Sequence, residues 1–236
     1  MKLTTVYIPA VIAIVLISTI STFAAYVTPK IGGAQRTHVV APMIMPEITF
    51  DGTNVVVLDA NGNDWVTLTG ENRPVLCPLV PPDEFEPNKM WYSALNGKAY
   101  NWQYGWANAA LDQSLLPAGS KIWLEVLSQS EGLKTYDRNN NYAPIFGTDG
   151  TSNIWKWYET MSMSHNAYTI TPSYRELSAT YVVYLGDAVT GAALAGFGSD
   201  TVTLTWTSIP EPATLGLMGI GIVYLLCQKR KHQAAA

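Results

Sequence analysis

Residues 201–207 read TVTLTWT, a strict alternation of threonine with a large apolar residue. Successive side chains of a β-strand point to opposite faces of the sheet, so Val202, Leu204 and Trp206 share one face and the four threonines share the other. The pattern predicts a strand with one buried and one exposed face. A chain built from such strands has to bury its apolar faces between sheets.

Further β-rich runs, separated by turn signals, lie on the N-terminal side of this strand. Residues 54–59 (NVVVLD) and 64–69 (DWVTLT) flank Asn61-Gly62, a dipeptide typical of tight hairpins. The other runs lie at residues 100–106, 121–127, 154–158, 167–171 and 179–185. No amphipathic helix of useful length lies between them. We predict an all-β fold, an antiparallel and jelly-roll-like β-sandwich over residues 48–208.

The first 24 residues have the composition of an export signal. Lys2 is their only charge, Val11–Ile17 is an unbroken apolar run, and Thr22-Phe23-Ala24 offers the small residues that a signal peptidase prefers. We predict a helical signal peptide over residues 1–24, cleaved at its end by signal peptidase, and a linker over residues 25–47. Because the apolar run is long, an uncleaved anchor is the alternative.

The charges are distributed unevenly between the ends and the middle of the chain. Ala25–Glu211 contains all 18 acidic residues, whereas Lys2, Lys229, Arg230 and Lys231 lie outside it, which leaves 10 of the 14 basic residues and a net charge of −8. An acidic surface repels phosphate backbones and anionic lipid headgroups. Nucleic acid is therefore excluded as the expected partner.

Cysteine and histidine are too sparse for several kinds of site. Cys77 lies in the middle region and Cys227 in the apolar C-terminal stretch, so we expect no disulfide between them and no metal site built on several thiolates. The three histidines are His38, His165 and His232. Only His165 lies in the predicted domain, which excludes a metal site with two or three histidine ligands.

Two weak catalytic signals are present. His165 lies near Ser162 and Ser164, but a nucleophile needs a base brought close by the fold rather than by adjacency in sequence, so packing is the simpler explanation of this histidine. A carboxylate pair could hydrolyse a glycosidic bond. The clustered candidates for such a pair, Asp83, Glu84 and Glu86, lie in a proline-rich stretch expected to be a solvated loop. We assign no catalytic residue.

Two segments place oxygen-bearing side chains at alternate positions, as calcium loops do: Asp59-x-Asn61-x-Asn63 and Asp137-x-Asn139-x-Asn141. Both lack the glycine and the final acidic residue of an EF-hand loop. The hairpin turn explains the first segment. We predict no metal site, and the residues that could form an irregular calcium loop are Asp137, Asn139, Asn141 and Asp149.

Aromatic residues form two short stripes. On a regular strand the rings of Tyr100, Trp102, Tyr104 and Trp106 lie on one face, and Trp155-Lys156-Trp157 repeats the spacing. Exposed rings of this kind, beside the amides of Asn101 and Gln103, would stack on sugar rings and bond their hydroxyls. We favour the other interpretation, that the rings form the core between two sheets, since each buries a large area. At most one of the two stripes is then expected to be exposed.

The C-terminal tail has three parts in a fixed order. Pro210-Glu211-Pro212 precedes the uncharged residues 213–227, and the basic cluster Lys229-Arg230-Lys231 follows. At about 1.5 Å per residue, a helix over residues 213–227 spans roughly 22 Å, and the basic side chains can snorkel to extend it. We predict a transmembrane helix with the basic cluster in the cytoplasm and the acidic domain outside. A plain or dimerising membrane anchor is the alternative.

This order of parts resembles a PEP-CTERM sorting signal, over residues 209–233. The resemblance implies that an exosortase, a membrane-embedded cysteine transpeptidase, recognises the tail of an inner-membrane precursor and removes it near the Pro-Glu-Pro motif. The body then passes to the cell surface or matrix of a bacterium with an outer membrane. Pro210, Glu211 and Pro212 would be recognition residues of a substrate.

Proteins with this signal accompany exopolysaccharide production, so the resemblance also implies extracellular polysaccharide as a partner. We expect an exported, non-catalytic matrix or adhesion module that needs no cofactor. Two alternatives remain open from the residues. One is a secreted glycan-active hydrolase, and the other is a structural surface protein that self-associates through exposed sheet edges.

Overall fold

The computed structural model describes residues 25–33, 42–157 and 163–210. The predicted signal peptide, the predicted transmembrane helix 213–227 and the basic cluster lie outside this part of the chain, and so do Glu211 and Pro212. None of the helices within the described ranges has the length and apolar character that crossing a membrane requires.

The described residues form mainly short strands, one turn of α-helix and four 3-10 turns. The strands are β1 (Glu47–Phe50), β2 (Val55–Leu58), β3 (Val75–Leu76), β4 (Ala99–Asn101), β5 (Gly105–Ala107), β6 (Ser120–Gln129), β7 (Lys134–Asp137), β8 (Ala143–Ile145), β9 (Ile154–Lys156), β10 (Met163–His165), β11 (Ala167–Ile170), β12 (Arg175–Asp187) and β13 (Asp200–Ser208). The helix α1 is Tyr92–Leu95, and the 3-10 turns are Gly70–Asn72, Gln113–Leu115, Arg138–Asn140 and Thr148–Gly150.

The longest strands build a five-stranded sheet in the order β3-β13-β12-β6-β9. In β13 the side chains of Val202, Leu204 and Trp206 are fully buried. On the threonine face, Thr201 is exposed and Thr203 and Thr207 are half-buried, whereas Thr205 is buried at 9 % exposure. The alternation predicted from the sequence is therefore confirmed. β12 pairs with β13 on one side and with β6 on the other. β12 is therefore the central strand of the sheet, and β13 is the internal strand beside it.

The other strands form two four-stranded sheets, in the orders β10-β5-β1-β2 and β4-β11-β7-β8. These sheets share a long strand pair, because β4 and β5 follow one another along one strand and face β11 and β10 on the other. Between the two paired stretches the pairing is interrupted, and three residues (102–104) stand against two (166–167). We call this one-residue excess at residues 102–104 the bulge, because an extra residue in one strand is what defines a β-bulge. The bulge reverses the faces on which side chains lie.

Most strand pairs are antiparallel, but β1 with β5 and β3 with β13 are parallel. The all-β class is confirmed, while the described strands form three sheets, two of which contain a parallel pair, instead of two purely antiparallel sheets. A parallel pair needs a long connection instead of a hairpin. The two-residue strand β3 meets this condition, since well over a hundred residues of chain separate it from β13.

The predicted Asn61-Gly62 hairpin forms only at its turn. The Asp59 carboxylate accepts the backbone N–H groups of Asn61 (2.8 Å) and Asn63 (2.9 Å), and Leu58 pairs with Asp64. The second arm then leaves β2, which pairs with β1 instead. Residues 65–68 of this arm contact β13 instead. The Trp65 indole N–H donates to the Thr203 carbonyl (3.3 Å), and the Thr205 hydroxyl donates to the Leu68 carbonyl.

The buried side chains of the described ranges form two clusters. The main one is centred on aromatic rings, with Tyr104, Trp106, Tyr168, Tyr181 and Trp206 all fully buried. The smaller one surrounds Phe85, Leu95, Tyr100 and Trp102. Burying a large apolar side chain stabilises a fold by about 1.5–3 kcal/mol, so these rings dominate the stability of the domain.

The segment predicted as a linker contacts the β domain at both of its described ends. Val27 and Ile31 pack on the smaller cluster, and the backbone N–H of Trp102 donates to the Ile31 carbonyl (2.9 Å). Ile44 then donates to the Gln103 carbonyl (2.9 Å). These contacts tie residues 25–33 and 42–46 to the bulged strand.

Candidate functional site

The aromatic stripe at residues 100–106 is buried and divided. Tyr100 and Trp102 belong to the smaller cluster, whereas Tyr104 and Trp106 belong to the main one. The prediction that all four rings share one face is wrong, because the bulge at residues 102–104 inserts an extra residue and reverses the alternation. With none of the four rings more than 7 % exposed, they pack as core and present no stacking surface.

Trp155 and Trp157 do share an environment, as their spacing predicts, but it is also the main core. Their rings meet edge to face with centroids 5.7 Å apart, and Trp155 meets Phe146 at the same distance. The Trp155 indole N–H donates to Asp137 Oδ2 (3.3 Å). Both tryptophans therefore pack as core and not as a sugar-stacking face.

Two of the four calcium candidates, Asp137 and Asp149, are already engaged by neighbouring groups. Asp137 is buried, where its Oδ1 accepts the backbone N–H of Asn139 (3.0 Å) and Oδ2 accepts Trp155. Asp149 is exposed and ion-paired with Lys134. Within the described ranges no three His, Cys, Asp or Glu side chains cluster as metal ligands would.

Tyr136 shows the electrostatic effect of Asp149. Its hydroxyl donates to Asp149 Oδ2 (3.4 Å), and burial together with the negative charge of Asp149 raises the pKa of Tyr136 to about 12. The phenol is neutral at physiological pH and acts as a donor. Lys134 and Tyr136 thus occupy the oxygens of Asp149 that a cation would need.

His165 is buried where β10 meets the bulge. Its Nδ1 lies 2.9 Å from the Trp102 carbonyl oxygen, whereas its Nε2 is buried with no hydrogen-bond partner in the described structure. Ser164 accepts the Asn139 side-chain amide (2.8 Å), and Ser162 lies outside the described residues. The contacts of His165 and Ser164 favour packing over nucleophilic catalysis.

The pKa of His165 predicts a pH dependence of stability. Burial lowers this pKa below its usual 6.5, the hydrogen bond to Trp102 opposes the shift, and the nearby Arg138 guanidinium adds to it. Because the folded pKa is depressed, the contribution to stability is complete above pH 6.5 and is lost as pH falls through the folded pKa. We expect the melting temperature to fall between pH 7.5 and pH 5.

The variant His165→Gln tests this dependence over a range in which most carboxylates remain ionised. It should flatten the melting temperature between pH 7.5 and pH 5, even if it lowers the value throughout. Parallel curves for the two proteins would show that another group causes the dependence.

The carboxylates Asp83, Glu84 and Glu86 lie before α1, as the loop prediction placed them. Glu86 pairs with Lys89 (3.3 Å), and the backbone of Glu84 pairs with the N-terminal segment at Tyr26. The Glu84 carbonyl accepts the backbone N–H of Val27 (2.9 Å), and the Glu84 N–H donates to the Ala25 carbonyl (3.1 Å), which holds this end of residues 25–33 against the domain.

A cleft of about 460 Å³ lies on the outer face of the five-stranded sheet. Glu125, Ile154 and Val182 form part of its floor, and Thr190, Leu194 and Phe197 form part of its wall. Sequence reasoning missed this site. The available signal was the alternation in Ile122-Trp123-Leu124-Glu125, which places Trp123 and Glu125 on the face opposite Leu124.

The C-terminal end of β13 leads directly to the predicted sorting residues. Ser208 pairs with Arg175 on one side and Leu76 on the other, and the backbone N–H of Ile209 donates to the Leu76 carbonyl (3.2 Å). Pro210 is the last described residue. The sheet therefore holds the chain up to the residue before Pro210.

Comparison with known proteins identifies one feature. No curated protein and no solved structure matches the chain significantly. A family model described as the PEP-CTERM protein-sorting motif matches residues 208–231, which confirms the resemblance drawn from the tail. The chain carries a PEP-CTERM protein-sorting motif, which implies export, a membrane-anchored precursor in a Gram-negative bacterium and processing by an exosortase.

Proposed function

We propose that this chain is a component of the cell surface or extracellular matrix, and that its β domain acts there by non-catalytic association with polysaccharide. The observation that carries the proposal is the direct passage from β13 into the sorting motif. Hydrogen bonds hold the chain in the sheet up to Ile209, and the motif residue Glu211 follows two positions later. The folded domain is thus the cargo, and the tail is the signal.

The short spacing limits where the domain lies before processing. Three residue steps separate Ser208 from Glu211, a reach of roughly 10 Å at about 3.3–3.6 Å per residue. The domain of the precursor therefore lies close to the outer face of the membrane. A cut near the motif leaves every hydrogen bond of β13 intact, so processing releases a folded domain.

Charge supports release into the matrix. The region Ala25–Glu211 has a net charge of −8, which disfavours adsorption to anionic lipid once the tail is removed. The polysaccharide association rests on the link between this sorting signal and exopolysaccharide production. Binding is favoured over hydrolysis because the described lining of the cleft includes one carboxylate, Glu125, whereas glycoside hydrolysis ordinarily uses two.

The variant Glu211→Ala tests the sorting step in the native host. We expect wild-type protein outside the cell, with an intact mass that ends near Pro210–Pro212. The variant should stay in the inner membrane with its tail extending to Ala236, because the exosortase has lost its recognition residue. Glu71→Ala, at an exposed position of the domain, is the matched control and should be sorted like the wild type.

A second measurement addresses the polysaccharide. The processed protein should co-sediment with exopolysaccharide purified from the host and remain in the supernatant without it. A wild-type protein that keeps its tail to Ala236 would indicate a plain membrane anchor and overturn the sorting proposal. Concentration-dependent assembly without polysaccharide, together with failure to co-sediment, would indicate a self-associating structural protein instead.

A further inference from the structure

The floor of the cleft is a row of side chains set by strand register. Glu125 of β6 lies directly opposite Val182 of β12 and Ile154 of β9. Directly opposite residues project to the same face, so this row crosses three strands. Tyr184 lies opposite Trp123, two residues farther along, and therefore on the same face. The buried side chains of Leu124, Val183 and Trp155 project to the other face, into the core.

The wall is the connection between β12 and β13, and hydrogen bonds hold it in place. The Asp187 carboxylate accepts the backbone N–H groups of Val189 (3.0 Å) and Thr190 (2.7 Å). Leu194 donates to the Leu185 carbonyl (3.0 Å), and the Tyr184 hydroxyl donates to the Gly191 carbonyl (2.9 Å). The cleft is thus formed before any ligand arrives, which reduces the entropic cost of binding.

Gly191 allows the wall to approach the floor closely. Its φ of +73° is a conformation that side chains rarely adopt, and a Cβ there would lie 2.8 Å from Ile154 Cδ1. A larger residue at this position would push the wall away from β9. The depth of the cleft therefore depends on this glycine.

Glu125 is the residue of the cleft whose carboxylate is available to a ligand. Its carboxylate makes no hydrogen bond or ion pair with any described residue, although its side chain is partly buried. Tyr184 lies close enough to respond to this charge. Burial raises the pKa of the Tyr184 phenol, and the negative charge of Glu125 raises it further. Lys156, on the same face, donates to the Ala188 carbonyl (3.3 Å) and does not line the cleft.

The lining defines the chemistry of an occupant. Val182, Leu194 and Phe197 offer an apolar surface, Thr190 and Ser199 carry hydroxyls, and Glu125 accepts hydrogen bonds. No cationic side chain is among the described lining residues, so an acidic ligand would meet only repulsion from Glu125. The volume of about 460 Å³ lies within the usual range of small-molecule sites, about 300–1,000 Å³.

We infer that this cleft binds a single neutral or amine-bearing sugar unit of a polysaccharide, with Glu125 accepting hydrogen bonds from its hydroxyl or ammonium groups. The apolar side chains would pack against the C–H face of the ring. This inference rests on the proposed polysaccharide association and specifies its site and its sugar class. Uronic-acid units are excluded by the charge of Glu125.

Calorimetric titration of the full chain, purified in detergent, tests the inference with three hexasaccharides. These are a chitin oligosaccharide (neutral), a chitosan oligosaccharide (amine-bearing) and an oligogalacturonate (acidic). We expect binding of the first two, with the chitosan oligosaccharide bound more tightly, and none of the third. Glu125→Gln should weaken chitosan binding at least about tenfold, since a hydrogen bond to a charged group is worth about 1.5–3 kcal/mol.

Glu125→Lys provides a sharper readout, because it should reverse the preference between the chitosan oligosaccharide and oligogalacturonate. Glu71→Gln and Glu71→Lys make the same changes at an exposed site outside the cleft and should bind like the wild type. A preference for oligogalacturonate in the wild type, or equal chitosan binding by the wild type and Glu125→Gln, would overturn the inference.

Co-sedimentation with host exopolysaccharide separates this inference from the proposed function. If wild type and Glu125→Lys both co-sediment equally, association stands and the assignment of the cleft fails. If neither the host polysaccharide nor any of the three oligosaccharides binds, the proposed association fails as well. Loss of co-sedimentation in Glu125→Lys alone would support both.

Discussion

Replacing Trp206 by alanine is expected to lower the free energy of unfolding by about 3–5 kcal/mol. Trp206 is fully buried on a central strand, and its ring packs against Tyr168 (centroids 4.5 Å apart) and edge to face against Tyr104 (5.2 Å). Truncation removes these contacts and leaves a cavity between rings that are held by strands on either side. Because domains are stable by only about 5–15 kcal/mol, this is a large fraction of the total.

Urea unfolding followed by circular dichroism measures the effect. Trp206→Phe is the informative companion, because the indole N–H of Trp206 is buried with no hydrogen-bond partner in the described structure. Phenylalanine removes that unsatisfied donor and keeps a ring, so it should cost less than half as much as alanine. Val189→Ala, at a side chain 87 % exposed, should change the free energy by less than about 0.5 kcal/mol. A loss below 1 kcal/mol for Trp206→Ala would contradict the central role of this ring.

The position of Trp206 in the core was predictable, whereas the positions of the rings at residues 100–106 were not. In β13 the apolar side chains of the alternation are all buried, and of the four threonines only Thr205 is buried as well, because β12 pairs with the strand without interruption at nine successive positions. At residues 100–106 the same alternation is interrupted by a bulge. That bulge depends on how residues 163–170 pair with the strand, which local sequence does not encode.

The cleft could not be predicted either, because it also depends on strand pairing that local sequence does not encode. Glu125, Ile154 and Val182 become neighbours only through the register of three strands that are far apart in the chain. The wall depends further on the turn capped by Asp187. By contrast, the tail could be interpreted from sequence alone, because the order of its parts is itself the signal that the family comparison matches.

Asn101 holds the bulge, and its replacement by alanine is expected to destabilise the domain by about 3 kcal/mol or more. The Asn101 side chain is fully buried, where its Oδ1 accepts the backbone N–H of Gln103 (2.6 Å). Its Nδ2 donates to the Val75 carbonyl (3.0 Å) and to Gln103 Oε1 (2.7 Å). Alanine would leave the buried Gln103 N–H and Oε1 and the partly buried Val75 carbonyl without this side chain, and a lost partner of this kind costs about 1–3 kcal/mol when it is buried.

The site at which amide hydrogen exchange becomes faster distinguishes a residue that stabilises the bulge from a buried amide that stabilises the whole domain. Asn101→Ala should expose Trp102 and Tyr104, on either side of Gln103, to faster amide hydrogen exchange, while β12 and β13 keep their protection until global unfolding. Asn88→Ala, at an exposed asparagine, is the matched control and should leave both stability and exchange unchanged. Uniformly faster exchange in Asn101→Ala, or a loss below about 1 kcal/mol, would show that strand pairing alone fixes the bulge. The division of the aromatic stripe between two cores would then follow from β10 and β11 and not from this amide.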